Sequence, residues 1–325
     1  FKQKTAYEIS LGLVGSEMCI RDRRMLPGLF MLWMWMVTGT SQRKHISVAK
    51  ETITRTIQQI IKGVQTSDGA GVNLTRIIAS PSLDMLDPFL LLDEFGSDDP
   101  DDYIAGFPPH PHRGFETITY MLNGKFRHKD TAGNEGYLTD GSVQWMTAGR
   151  GVIHSEMPEQ TKGLVRGFQL WLNLPKEKKM IEPAYNDIPA EKIPTVQFQG
   201  GKAKIIAGTF LGVTGPGNPH TGMLYYDILL DTKDNINIPI NDKWNAFCYV
   251  YEGEISCGKT VSKSYLAILS TEGIFRCTAT TNNTRFILVA GMPLNEPVAR
   301  GGPFVMNTRG EILQAFEDYQ EGRLG

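Results

Sequence analysis

The feature that most constrains the fold is a series of short apolar segments, each ending at a turn signal. Between Gly106 and Asn173 the chain contains FETITYML, GYLTDGSVQWM and GLVRGFQLWLNL, and the later half contains AKIIAGTF, MLYYDILL and TRFILVAG. Segments of this length, bounded by Gly, Asn, Asp and Pro, are typical of β-strands. Because two stretches of similar size show the pattern, we predict an all-β protein built from two successive β-barrels.

Two segments refine this prediction. Phe168, Leu170 and Leu172 alternate with Gln169, Trp171 and Asn173, which indicates a strand with large side chains on both faces, buried on both sides. The segment Glu311–Gln320 places Ile312, Leu313 and Phe316 on one stripe and predicts a short C-terminal helix. The segment around Ile57, Ile60 and Ile61 fits a helix or a strand equally well.

The chain divides into four predicted regions. Residues 1–24 are similar to translated sequencing-adapter read-through and are predicted to be a non-native leader. Residues 25–53 form an N-terminal extension in which LPGLFMLWMWMV has the length of a signal-peptide core but not of a membrane span. A polar, Pro-containing stretch ends near Pro194 and indicates an interdomain connection, so we place the two barrels at residues 54–185 and 186–325.

Composition limits the classes of partner and the cellular compartment. The chain of 325 residues has a net charge of −2, which argues against direct binding to nucleic acid or to an anionic membrane. The cysteines lack CxxC spacing, which argues against a zinc-thiolate site, and the three after residue 200 are predicted to be reduced thiols. Reduced thiols favour an intracellular protein. We expect a monomer in the cytoplasm and/or nucleus, with secretion through the segment near residues 25–41 as the lesser alternative.

Two pairs of residues at strand spacing predict a metal site. His110 and His112 lie in HPH, and His154 and Glu156 lie in HSE. Residues i and i+2 of a strand point to the same face, so each pair can converge on one point inside a barrel. Three imidazoles and one carboxylate suit iron(II), and also manganese, nickel, copper or zinc.

The histidines outside these pairs are predicted to be exposed rather than ligating. They are His45, His128 and His220, which lie among polar or turn residues.

Longer strings around the two pairs carry a family resemblance. The first cupin motif resembles GFPPHPHRGFETITYMLNG, and the second resembles DGSVQWMTAGRGVIHSEMP. The residues of both strings resemble those found at these motifs in the pirin family. The strings LDPFLLLDEFG and GMPLNEPVARGGPFVMNT extend the resemblance from about Thr54 towards the C-terminus. The resemblance implies a bicupin, two tandem cupin β-barrels, with metal only in the first. The family's ligands map onto His110, His112, His154 and Glu156.

Glu116 is a second candidate for the carboxylate role. In many other cupins the carboxylate ligand comes from the first motif, which corresponds to Glu116 here. It lies four residues after His112, and therefore on the same face if the strand is regular. We rank it after Glu156, as a possible supporting group or base.

The resemblance implies a quercetin 2,3-dioxygenase-like activity, the O2-dependent cleavage of a flavonol or catechol-like substrate. Glu156 and Glu116 are the candidates for taking up the substrate's proton. The candidate pocket residues are Phe107, Trp145, Gln169 and Trp171, of which at least two are expected to be core instead.

The resemblance also implies an alternative without catalysis. Members of the family are similar to a nuclear cofactor that binds transcription factors of the NF-κB type. In that role the iron centre would sense redox state, because oxidation adds a unit of charge in a poorly solvated site.

Overall fold

The computed structural model of the protein describes residues 53–324. The predicted leader, the extension before residue 53, Cys19 and His45 lie outside the described residues. Within them the chain is mostly strand, and the ambiguous segment at Ile57 is a strand. None of the described helices is long and apolar enough to cross a membrane.

Strands of the first half follow the predicted apolar segments. In chain order they are β1 (Ile57–Lys62), β2 (Val64–Asp68), β3 (Val72–Ile78), β4 (Phe89–Ser97), β5 (Phe107–His112), β6 (Phe115–Asn123), β7 (Phe126–Asp130), β8 (Glu135–Leu138), β9 (Val143–Thr147), β10 (Val152–Pro158), β11 (Val165–Asn173) and β12 (Ala184–Ile188). Single 3-10 turns lie at Pro100–Asp102, Lys176–Lys178 and Ala190–Lys192.

The second half repeats the pattern and ends in a helix. Its strands are β13 (Thr195–Phe198), β14 (Gly201–Ala207), β15 (Thr209–Phe210), β16 (Val213–Thr214), β17 (Met223–Leu230), β18 (Asn235–Ile238), β19 (Asn245–Glu252), β20 (Glu254–Ser256), β21 (Thr260–Ser262), β22 (Tyr265–Leu269), β23 (Phe275–Ala279), β24 (Thr284–Gly291), β25 (Ala299–Gly301) and β26 (Phe304–Met306). The predicted C-terminal helix is α1 (Arg309–Gln320), where Thr308 and Glu311 form a capping box.

Each unit combines a seven-stranded sheet with a four-stranded one, and the described residues also form two-stranded sheets at β15-β16 and β25-β26. Neighbouring strands in these sheets pair antiparallel. In the first half the orders are β12-β9-β6-β11-β4-β3-β2 and β5-β10-β7-β8. In the second half they are β1-β22-β19-β24-β17-β14-β13 and β18-β23-β20-β21. The two tandem all-β units and the helix confirm the predicted fold class.

The two seven-stranded sheets share one apolar core. Phe168 and Leu170 of the first sheet pack in the same buried cluster as Tyr225 and Phe247 of the second. The opposite face of β11 carries Gln169 and Trp171 and turns towards a cavity within the first unit. Strand β11 is therefore covered on both faces, because one meets the other sheet and one lines a cavity.

The two ends of the described chain each join the opposite unit. Strand β1 pairs with β22 of the second sheet, although it precedes the first unit in sequence. The C-terminal helix packs back on the first unit, where Arg113 pairs with Asp318 at 2.7 Å. The predicted boundary between residues 185 and 186 lies inside β12, which pairs with β9 of the first sheet through Ile188.

Candidate metal centre

Strands β5 and β10 bring the two predicted ligand pairs together. They pair antiparallel with His154 opposite His110, and His112 opposite Val152. The register then shifts, because Pro108 and Pro109 supply no backbone N–H and the strand bulges there. The alternation predicted from the sequence thus places three imidazoles on one side of the four-stranded sheet.

The three imidazoles form one cluster. One nitrogen from each of His110, His112 and His154 lies within 4.8 Å of the other two. Their ring centroids are separated by 4.5 to 5.1 Å. One metal ion, with ligand bonds of about 2 Å, can contact all three rings after small adjustments of the side chains.

Hydrogen bonding leaves a nitrogen of each ring available to a metal. Nδ1 of His110 lies 2.8 Å from the carbonyl oxygen of Pro108, and Nδ1 of His112 lies 3.4 Å from that of Pro303. This arrangement frees Nε2 for coordination, as in most metal-ligating histidines. Both ring nitrogens of His154 are buried without a hydrogen-bond partner, a costly state that a bound metal would relieve. The residues present therefore fit a divalent metal.

Burial keeps two of these rings neutral. It lowers the pKa of His112 and of His154 well below the usual value, and the neighbouring histidines lower it further. A neutral imidazole offers a lone pair to a metal, whereas a protonated ring does not. His112 and His154 are therefore in their ligating form at neutral pH.

Glu156 lies beside the cluster on the same strand. The group whose ligand atoms all approach within 4.8 Å contains the three histidines, and Glu156 is not part of it. Its Oε1 accepts a hydrogen bond of 3.1 Å from the hydroxyl of Thr119. Burial raises the pKa of Glu156, while the nearby His110 lowers it. Its carboxylate is thus a buried group that favours proton uptake more than a solvated one would.

The cluster opens into a cavity of about 710 Å³. Its wall is largely apolar and includes Phe107, Gln169 and Trp171, three of the four predicted pocket residues. Trp171 meets the ring of His112 edge-on, with centroids 5.2 Å apart. The volume lies in the range of sites that enclose a small organic molecule.

Glu116 and Trp145 face away from the cluster, contrary to the prediction. Between β5 and β6 the chain bends at Gly114, whose φ of +88° breaks the regular strand that the prediction assumed. Glu116 instead accepts hydrogen bonds from the indole of Trp145 at 3.2 Å and the hydroxyl of Thr147 at 2.9 Å. Its side chain is fully buried. These residues stabilise the packing between the two halves and do not touch the cavity.

Glu116 should make stability depend on pH. Burial raises the pKa of Glu116 to about 7, from an ordinary value of 4.5, so between these pH values the folded protein keeps a proton that the unfolded chain has released. Stability is therefore lost as pH rises from about 4.5 to 7, by about 3 kcal/mol for this group. In Glu116→Gln, the fall in unfolding free energy between pH 5 and pH 8, measured in urea, should shrink by about that amount. An unchanged pH dependence would contradict this.

His128 is buried, whereas the sequence predicted it to be exposed. Its Nε2 lies 2.9 Å from the carboxylate of Asp187, and its ring stacks on Tyr185 with centroids 5.3 Å apart. In the register of β7 and β10 it lies opposite Glu156. The alternation of Phe126, His128 and Asp130 was the signal that could have placed it inside the unit.

Two family models match the chain. The Pirin model matches residues 71–172, and the model of the pirin C-terminal cupin domain matches residues 225–325. The first match contains all three clustered histidines and Glu156, and the second covers most of the second unit.

Individual relatives agree with the models. A pirin-like protein of Caulobacter vibrioides is 46% identical over 83% of this chain and 99% of its own length. A Pseudomonas aeruginosa protein, named provisionally as a quercetin 2,3-dioxygenase, is 46% identical over 83% of this chain and 98% of its own. The crystal structure of a quercetin 2,3-dioxygenase from Acinetobacter baumannii superposes with a TM-score of 0.78, at 32% identity, over 84% of this chain and 99% of that one. With two family models and near-complete relatives, the chain belongs to the pirin family, with tandem cupin domains.

Proposed function

We propose that the protein is a metal-dependent dioxygenase of the quercetin 2,3-dioxygenase type, which cleaves a flavonol with O2. The observation that carries the proposal is a cluster of three imidazoles, two of which line an apolar cavity beside a buried carboxylate. The names of the Pseudomonas and Acinetobacter relatives support the same reaction class. No described residue outside this cavity forms a comparable cluster of histidine, cysteine or carboxylate ligands.

The three histidines would hold a divalent metal, with Glu156 as the proposed fourth ligand. Iron(II) is the metal we propose first, and manganese, nickel, copper and zinc fit the same nitrogen and oxygen donors. When bound, the ion would supply Lewis acidity at the substrate oxygens and a site for O2.

The remaining chemistry belongs to side chains of this chain. Glu156 would take the proton from the substrate hydroxyl nearest the cluster, because burial raises its pKa towards that of a useful base. The Thr119 hydroxyl would hold the carboxylate in place. Phe107 and Trp171 would cover the substrate rings and keep water out of the cavity.

Oxygen uptake tests the proposal. Protein reconstituted with iron(II) under anaerobic conditions, then mixed with quercetin and O2, should consume O2 well above the rate of apo-protein. Stoichiometric iron without O2 uptake, across a panel of flavonols and catechols, would refute the enzyme reading. The alternative, a redox-sensing cofactor of transcription factors, would then predict different partner affinity for the iron(II) and iron(III) forms.

A further inference from the structure

A row of polar side chains crosses the wall of the metal cavity. In the register of the first sheet, each residue of this row lies opposite the next one on the neighbouring strand. The row comprises Thr119 on β6, Gln169 on β11, Asp93 on β4 and Arg76 on β3, all lining the cavity. It begins beside the metal centre, because Thr119 is hydrogen-bonded to Glu156. Since adjacent strands lie about 4.8 Å apart, its far end is roughly 10 Å or more from Thr119.

The far end of the row holds a buried ion pair. Arg76 donates two hydrogen bonds to Asp93, from Nε to Oδ1 at 3.0 Å and from Nη2 to Oδ2 at 2.8 Å. The Asp93 side chain is 5% exposed, whereas Asp68, the second partner of Arg76, is 53% exposed. The two aspartates thus differ in burial while sharing one guanidinium.

Apolar side chains flank the ion pair along its own strands. Leu91 and Phe95 lie two residues to either side of Asp93 on β4, Leu74 lies two residues before Arg76 on β3, and all three line the cavity. Removing an ion pair from water costs free energy, and apolar residues would fill such a wall at no greater cost. Each carboxylate oxygen of Asp93 receives one hydrogen bond from Arg76 and keeps a further lone pair. The wall therefore presents a fixed hydrogen-bond acceptor to whatever fills the cavity.

We infer that Asp93, held by Arg76, is a specificity-determining residue that accepts a hydrogen bond from a phenolic hydroxyl on a ring remote from the metal. The inference rests on the proposed function, because it takes the chelating end of the flavonol to lie at the histidine cluster. Burial raises the pKa of Asp93 to about 6. At pH 7.5 the carboxylate is therefore ionised, and it can accept hydrogen bonds but cannot donate one. A hydrogen bond to a buried charged group discriminates strongly against a ligand that lacks the partner hydroxyl.

Two flavonols test the inference. Quercetin carries four hydroxyls besides the chelating one, and 3-hydroxyflavone carries none. The wild-type protein should favour quercetin in kcat/KM by about 10-fold to 100-fold. In Asp93→Asn this preference should fall below about threefold, through a loss of kcat/KM on quercetin. Asp68→Asn is the matched control, since it also neutralises a carboxylate that pairs with Arg76 and lines the cavity, but it leaves the buried, charged acceptor at Asp93. It should therefore retain the preference.

Binding measurements separate this inference from the proposed function. Under anaerobic conditions, quenching of tryptophan fluorescence gives the Kd of both flavonols without turnover, and the Kd values should show the same preference. Absence of O2 uptake by the wild-type protein overturns the proposed function, whereas a preference that survives Asp93→Asn overturns the inference. If Asp93→Asn does not fold, the wild-type protein is tested instead with quercetin whose remote hydroxyls are methylated. Affinity equal to that of quercetin would overturn the inference, and weaker affinity would support it.

Discussion

Replacing His154 with alanine is expected to remove both the metal and the O2 uptake of the protein. His154 is buried, and neither of its ring nitrogens has a hydrogen-bond partner in the protein. Loss of one of three imidazoles leaves two ligands from the cluster and opens a gap at its inner side. We expect metal affinity to fall by more than about 100-fold, since loss of a mere supporting partner already costs 10-fold to 100-fold. Metal analysis by mass spectrometry and O2 electrode traces measure both losses.

His220→Ala is the matched control for this substitution. The His220 side chain is exposed, and it is the residue's backbone N–H that donates to Glu116, at 3.1 Å. Metal content and O2 uptake should therefore stay at wild-type levels. Retention of stoichiometric metal in His154→Ala would contradict the three-histidine site.

The second large effect is expected for Glu156→Gln. The amide preserves the shape of the side chain but cannot take up a proton, so turnover should fall by about 10²-fold to 10⁴-fold. Metal content separates the two roles proposed for this residue. If Glu156 acts only as the base, the three histidines should keep the metal bound, and if it is also the fourth ligand, occupancy should fall with the rate.

The variant Glu116→Gln is compared with Glu156→Gln to separate the roles of the two candidate carboxylates. Glu116 lies on the opposite face of β6 from Thr119 and bonds to Trp145 and Thr147, not to the cavity. We expect its substitution to leave kcat and metal content within about twofold of wild type. The reverse pattern, activity lost with Glu116 and kept with Glu156, would refute the assignment of roles made from the structure.

Local sequence was sufficient to find the histidine cluster. The two-residue spacing in HPH and HSE fixes which face of a strand each side chain takes, because that alternation is a property of the extended backbone alone. The same rule predicted the alternation of β11. The predicted stripe of α1 is wrong beyond Ile312, because the helix buries Ile312 and Ala315 while Leu313 and Phe316 are exposed. Strand identity and side-chain face were therefore determined by residues close together in the chain.

The tertiary structure decided what each face meets. Gly114 takes a positive φ between two strands of different sheets, and Glu116, two residues later, points towards the second unit, where it accepts a hydrogen bond from the backbone N–H of His220. His128 is buried because Asp187, far along the chain, joins the same unit through β12. Sheet pairing and packing between distant segments set these environments, and periodicity within a segment carries no information about the partner that will cover it. Strand spacing was thus enough to group the three histidines, and the family resemblance ranked Glu156 above Glu116. The packing of the two units then showed that Glu116 is covered by the second unit, because the partner of a strand face comes from distant segments.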